Sequence, residues 1–176
     1  KVVSTDFKSP SSKAILILPQ YDKEGIPDFE SVKSVFDKVE ALIEQGIAKS
    51  VYTLTSGGIC EAITKMCFGN RIGFIVDDSI SKDMLFKYLY GGFIVEVEMD
   101  YCTNEIVLGT TTASEDITFC GKTISLNILQ KTWENKLEPV FASNIEHPSA
   151  KVPKFSYHSD VIISSKEKFA HPRVLI

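Results

Sequence analysis

The chain has 176 residues, room for one sizeable core or two small ones. Its hydrophobic fraction of 44% and charged fraction of 24% are ordinary for a globular domain. A net charge of −4 and a pI near 5.4 argue against nucleic acid as a partner, because phosphate backbones demand a Lys/Arg surplus, and no apolar run approaches the roughly 18–20 residues that span a bilayer.

Residues 1–12 are polar and end in a turn cluster. Residues 1–30 hold no basic segment followed by a long apolar stretch, so no secretory signal is read. The start on Lys rather than Met reads as part of a longer protein. Ala14–Leu18 is a short continuous apolar run stopped by Pro19, which predicts a strand buried on both faces or at the inner edge of a sheet. Residues 19–27 carry two prolines and a glycine and read as a loop. A helix is predicted over about 29–45, with Asp28 as N-cap and Gly46 at the left-handed position past its end. Its apolar stripe is Phe29, Val32, Phe36, Val39 and Ile43, widened by Val35 and Leu42.

Val51–Leu54 is a short strand candidate. The stretch TLTSGGICEAITKMCFGNRIGF over 53–74 then places a glycine pair at the start of a second helix. Ile59, Ala62, Ile63, Met66 and Cys67 form its stripe, and Gly69-Asn70 its end. Gly73–Val76 reads as a strand halted by Asp77-Asp78. Ser81–Tyr88 fits a short helix capped by Ser81. Phe93–Met99 alternates as a strand, with Phe93, Val95, Val97 and Met99 on one face and Ile94, Glu96, Glu98 and Asp100 on the other. Ile106–Thr110 is a further strand, and Ile117–Ser125 a hairpin turning at Gly121-Lys122. Ser125 then caps a third long helix with Ile128, Leu129, Thr132, Trp133, Lys136 and Leu137 at its spacing, and Trp133 is read as core. Residues 143–172 show little periodicity and read as a linker over the surface. Helices and strands mix without strict βαβ repetition, so an α/β (α+β) domain with a mixed sheet and packed helices is expected.

Chemistry is sparse. Cys60, Cys67, Cys102 and Cys120 form no C-x-x-C pair, and His147, His158 and His171 lie far off, so no zinc site is expected. Cys60 and Cys67 read as free thiols in a reducing cytosol. Glu96, Glu98 and Asp100 read as the wet side of a sheet, with a Mg²⁺ site as the alternative. Thr55, Ser56, Gly57 and Gly58 admit two readings. Exposed N–H groups and two hydroxyls there suit phosphate oxygens, and glycines there equally suit close packing of helix against strand.

The same stretch resembles the C-terminal domain of the AIR synthase superfamily. In that family an acidic-rich D-x-S-D-G-G-L turn precedes a helix, and Thr53, Leu54, Thr55, Ser56, Gly57, Gly58 and Ile59 stand in its place. Glu61–Asn70 is similar to the family helix, and Leu85–Glu98 to the segment leading into its next strand. The Gly109-Thr110 strand, the hairpin and the tryptophan helix follow in the order of the second synthase half of phosphoribosylformylglycinamidine synthases. HPRVLI, His171–Ile176, resembles the opening strand of the glutaminase domain that comes next in that family.

The resemblance implies a three-layer domain over residues 1–142, a linker over 143–171 and the start of a next domain at 172–176. It implies a cytoplasmic parent enzyme of purine biosynthesis. That enzyme converts formylglycinamide ribonucleotide, ATP, glutamine and water to formylglycinamidine ribonucleotide, ADP, phosphate and glutamate. ATP or ADP and Mg²⁺ would belong to the parent, and none is expected on this chain alone. The implied partners are the preceding N-terminal synthase domain and the following glutaminase domain of the same chain. The departure is at Thr53 and Ser56, where the family has acidic residues. Neutral hydroxyls hold Mg²⁺ only weakly, so Thr55, Ser56, Gly57 and Gly58 are expected to form a degenerate phosphate or nucleotide site, with no catalytic residue and no metal ligand. Rival expectations are another enzyme of the superfamily, such as AIR synthase, selenophosphate synthetase or thiamine-phosphate kinase, and a non-catalytic protein-interaction module.

Overall fold

The computed structural model of the protein describes residues 2–142 and 153–158. The chain divides into two units, Lys1–Phe141 and Ala142–Ile176. In the second unit, residues 153–158 are exposed and form no helix or strand. The rest of the expected linker over 143–171, the strand at 172–176, His147 and His171 lie outside the described residues.

The first unit is built on a seven-stranded mixed sheet. In chain order its strands are β1 (Ser12–Ile17), β2 (Ser50–Thr53), β3 (Gly73–Val76), β4 (Phe93–Glu98), β5 (Ile106–Thr112), β6 (Asp116–Phe119) and β7 (Lys122–Ser125). Their order across the sheet is β2-β4-β1-β5-β3-β6-β7. Every pairing is antiparallel except β3 with β6. Four helices accompany it: α1 (Phe29–Glu44), α2 (Gly58–Phe68), α3 (Lys82–Leu85) and α4 (Leu126–Glu134).

Strand alternation sends side chains to two cores. Ile15 and Ile17 of β1 and Phe93, Val95 and Val97 of β4 meet Val35, Val39 and Leu42 of α1 on one face. Ala14, Leu16, Ile94, Leu108 and Phe74 meet Ile59, Ala62, Ile63, Met66 and Cys67 of α2 on the other. The result is three layers, helix, sheet, helix, with β1 feeding both cores from between β4 and β5. Among the described residues no helix is long and apolar enough to cross a membrane.

The ends of α1 follow from its sequence. Asp28 accepts from the Ser31 amide at 2.9 Å. Gly46 sits at φ +75°, and paired bonds from Gly46 N–H to Ile43 O and Ile47 N–H to Leu42 O close the last turn. Four local expectations are corrected. The buried stripe of α1 centres on Val35, Val39 and Leu42, while Phe29 is 83% exposed and Phe36 is half exposed. The α3 helix stops at Leu85, leaving Phe86 and Tyr88 exposed. The hairpin turns one residue earlier than expected, at Cys120-Gly121, with φ of +46° and +71°. Trp133 is not core: it is 56% exposed and lies over Phe68 with ring centroids 6.0 Å apart.

Candidate functional site

The Thr55–Gly58 turn links β2 to α2. Thr55 and Ser56 are exposed, Gly57 is half-buried and Gly58 is buried. Gly57 is the N-cap of α2 and has no side chain with which to cap it. Gly58 follows at φ +65°, in the left-handed region that an L side chain rarely adopts. A Cβ on Gly58 would stand 2.8 Å from Lys87 O and 2.9 Å from Leu85 O. The second glycine therefore lets α2 start directly against the backbone of residues 85–87.

Glu61 fills the position that an anionic ligand would take at the turn. Its Oε2 accepts from Gly57 N–H at 2.9 Å and from Thr55 Oγ1 at 2.7 Å. Its Oε1 accepts from Lys65 Nζ at 2.6 Å. The Lys65 hydrogen bond, joined by that of Thr55, holds the Glu61 carboxyl below the ordinary glutamate range. Lys65 is shifted upward by the same contact, and its ammonium also stands 5.7 Å from the centre of the Trp133 ring. A chain of contacts thus runs from the Gly57 amide through Glu61 and Lys65 to the face of α4. The structure brings Thr55 and Gly57 together on one acceptor, and that acceptor is a side chain of this protein. In this arrangement the Gly57 and Thr55 donors are held by the Glu61 carboxylate.

A second polar centre lies inside the fold. Glu96 is fully buried, which corrects the reading of Glu96, Glu98 and Asp100 as one wet row. Only Glu98 and Asp100 face solvent. Glu96 Oε2 accepts from Lys8 N–H and Ser50 Oγ, each at 2.8 Å, and Oε1 from Ser9 N–H at 3.3 Å. Lys49 Nζ donates to Ser9 Oγ and Ser12 Oγ at 3.0 Å and pairs with Glu98 at 2.8 Å. Thr111 Oγ1 accepts from Ser12 N–H and donates to Ser9 O, both at 2.8 Å. No buried side-chain N or O atom among the described residues lacks a partner, so this network is closed on itself. No group of three or more His, Cys, Asp or Glu among the described residues is placed to hold a metal.

Sequence reasoning missed both carboxylates as organising groups. For Glu61 a signal existed, because it stands four residues after Gly57 at the start of a helix, one turn from the free amide. For Glu96 none existed locally, since its donors come from residues 8, 9 and 50.

The mixed sheet between helix layers defines the class: this is the AIR synthase-like fold. No protein-family model matches the chain. Among solved structures, phosphoribosylformylglycinamidine synthase II from Thermotoga maritima aligns with a TM-score of 0.62 at 12% identity, over 88% of this chain and 30% of that one. T. maritima PurL complexed with ATP aligns at 0.61 and 12% identity, over 90% of this chain and 31% of that one. Thiamine monophosphate kinase from Aquifex aeolicus aligns at 0.50 and 10% identity, over 70% of this chain and 54% of that one. This chain spans about 30% of the length of the Thermotoga synthase.

Proposed function

We propose that this chain is a domain of a phosphoribosylformylglycinamidine synthase, the C-terminal AIR synthase-like domain of its second synthase half. The observation that carries the reading is the extent of the structural match. The synthase aligns over 88% of the chain, against 70% for the kinase of the same fold. The order of segments read from the sequence, down to His171–Ile176, supports the same choice.

In this reading the parent enzyme binds ATP and Mg²⁺ and uses glutamine as its ammonia source, joining a nitrogen to formylglycinamide ribonucleotide. It works in the cytoplasm. The residues at the Thr55–Gly58 turn do not supply the phosphate site, because the Glu61 carboxylate holds the Gly57 amide and hydroxyls replace the family's acidic residues at Thr53 and Ser56. In this reading the domain contributes no catalytic group. Its role is a scaffold that completes a two-half synthase, packs against the preceding N-terminal synthase domain and seats the glutaminase domain that follows.

The test is phosphate release by the full-length parent protein with ATP and glutamine, with and without formylglycinamide ribonucleotide. Release is expected only with the ribonucleotide, and the 176-residue chain alone is expected to release none. A parent that releases nothing in response to formylglycinamide ribonucleotide defeats the assignment.

A further inference from the structure

A cavity of about 430 Å³ lies between α2, α3 and the β6–β7 hairpin, sharing no residue with the Thr55–Gly58 turn. That volume is in the range of small-molecule sites, roughly 300–1,000 Å³. Its floor is made of Ile63, Val76 and Leu85, each no more than 5% exposed. The remaining wall is mostly apolar, and no Asp or Glu lines it. The two charged lining residues are Lys82 and Lys122, both solvent-exposed. Neither makes an ion pair with any described residue, in contrast to Lys38, Lys49, Lys65 and Arg71. In a chain of net charge −4, two cations without an acid partner among the described residues, beside an apolar hollow, set a definite ligand chemistry.

An apolar body gains by leaving water for this floor. A neutral ligand would leave the lysines unused, and a cation would be repelled by them. A compact anion such as phosphate would have no apolar body to place on Ile63, Val76 and Leu85. We propose that this cavity binds an amphiphilic anion of the medium-chain aliphatic carboxylate class. Its chain lies on Ile63, Val76 and Leu85, and its carboxylate lies between Lys82 and Lys122. The site is independent of the function proposed above.

The test is calorimetric titration of the 176-residue chain with decanoate below its micelle concentration, beside decanol and decyltrimethylammonium. Decanoate is expected to saturate one site at least tenfold more tightly than decanol, and the cation not to bind. The double variant Lys82→Glu with Lys122→Glu alters only exposed side chains, so its fold should persist, as circular dichroism would verify. It should weaken decanoate at least tenfold and leave decanol within twofold. If that variant fails to fold, Lys82→Gln with Lys122→Gln carries the same expectation with a smaller loss. Two cysteines locate the site. Cys60 and Cys120 line the cavity, whereas Cys102 is exposed and outside it. Decanoate should slow iodoacetamide labelling of Cys60 and Cys120, mapped by mass spectrometry, and leave Cys102 unchanged. Equal affinity for decanoate and decanol overturns the proposal. So does decanoate binding that survives charge reversal, or labelling that it does not slow.

Discussion

At Glu61 one carboxylate gathers three donors: the Gly57 amide, the Thr55 hydroxyl and the Lys65 ammonium. Glu61→Gln keeps the shape, removes the charge and weakens all three. We expect a loss of about 0.5–1 kcal/mol in urea unfolding at neutral pH, the scale of charged hydrogen bonds reduced by solvent screening of this partly exposed group. The pH dependence has a fixed sign. The folded pKa is depressed, so the stabilisation is present above the unfolded pKa and is lost as pH falls through the folded one. The gap between wild type and Glu61→Gln should therefore close in acid, below the ordinary glutamate range. A gap that stays constant into that range would show that the carboxylate's charge is not what holds the turn. Gly58 offers a separate prediction. Gly58→Ala forces an L residue to φ +65° and sets a methyl 2.8 Å from Lys87 O, so about 2 kcal/mol or more of stability should be lost in a thermal melt. The glycine pair was legible in the sequence as a special backbone point. What was not legible is its purpose, because the carbonyls that crowd Gly58 belong to residues 85 and 87.

Elements were legible where local chemistry sets their ends. Asp28 and Gly46 bracket α1, Ser81 caps α3 and Ser125 caps α4, each as expected from side chains that compete for backbone groups. The rotation of a helix about its axis was less legible. Large apolar residues drew the expected stripe of α1 toward Phe29 and Phe36, yet the sheet receives Val39 of that stripe together with Val35 and Leu42 from its widened flank. Phe36 instead meets Phe93 edge-on at 5.0 Å, on the rim of the same core. Trp133 misled in the same way, because hydrophobicity does not distinguish a core ring from one laid over a neighbouring helix. The hairpin gives the prediction at this scale. Cys120 and Gly121 both take positive φ, the pattern of a tight two-residue turn that favours Asn-Gly. Cys120→Asn should raise stability by about 0.5–1 kcal/mol, since asparagine tolerates φ +46° better than cysteine does. A lower melting temperature for that variant would mean that Cys120 makes a contact worth more than the turn strain.

At the scale of the whole molecule, strand order decides which distant residues meet, and no pattern in the sequence carried it. The mixed sheet was expected, but β1 inside it, between β4 and β5, emerges only from the fold. That placement takes Glu96 of β4 out of solvent and sets it under residues 8 and 9, at the entry to β1. Phe7, fully buried, stacks on Phe74 with centroids 5.4 Å apart, and its amide donates to Met66 O at 2.9 Å. The segment before β1 is thus held from one side by aromatic packing and from the other by a buried carboxylate. Removing that carboxylate leaves the buried Ser50 hydroxyl and the part-buried Lys8 and Ser9 amides without their acceptor, and an unmet buried donor costs about 1–3 kcal/mol. Glu96→Ala should therefore lose about 3 kcal/mol or more in urea unfolding, and Glu96→Gln, which keeps a carbonyl acceptor, clearly less. The loss should also be local before it is global. Hydrogen exchange of peptides spanning residues 2–12 should quicken in Glu96→Ala relative to peptides of α1, because the segment loses its tie while the opposite core is untouched. Uniform quickening across the sheet and α1 would mean that Glu96 supports the central strands directly and that the N-terminal segment follows them.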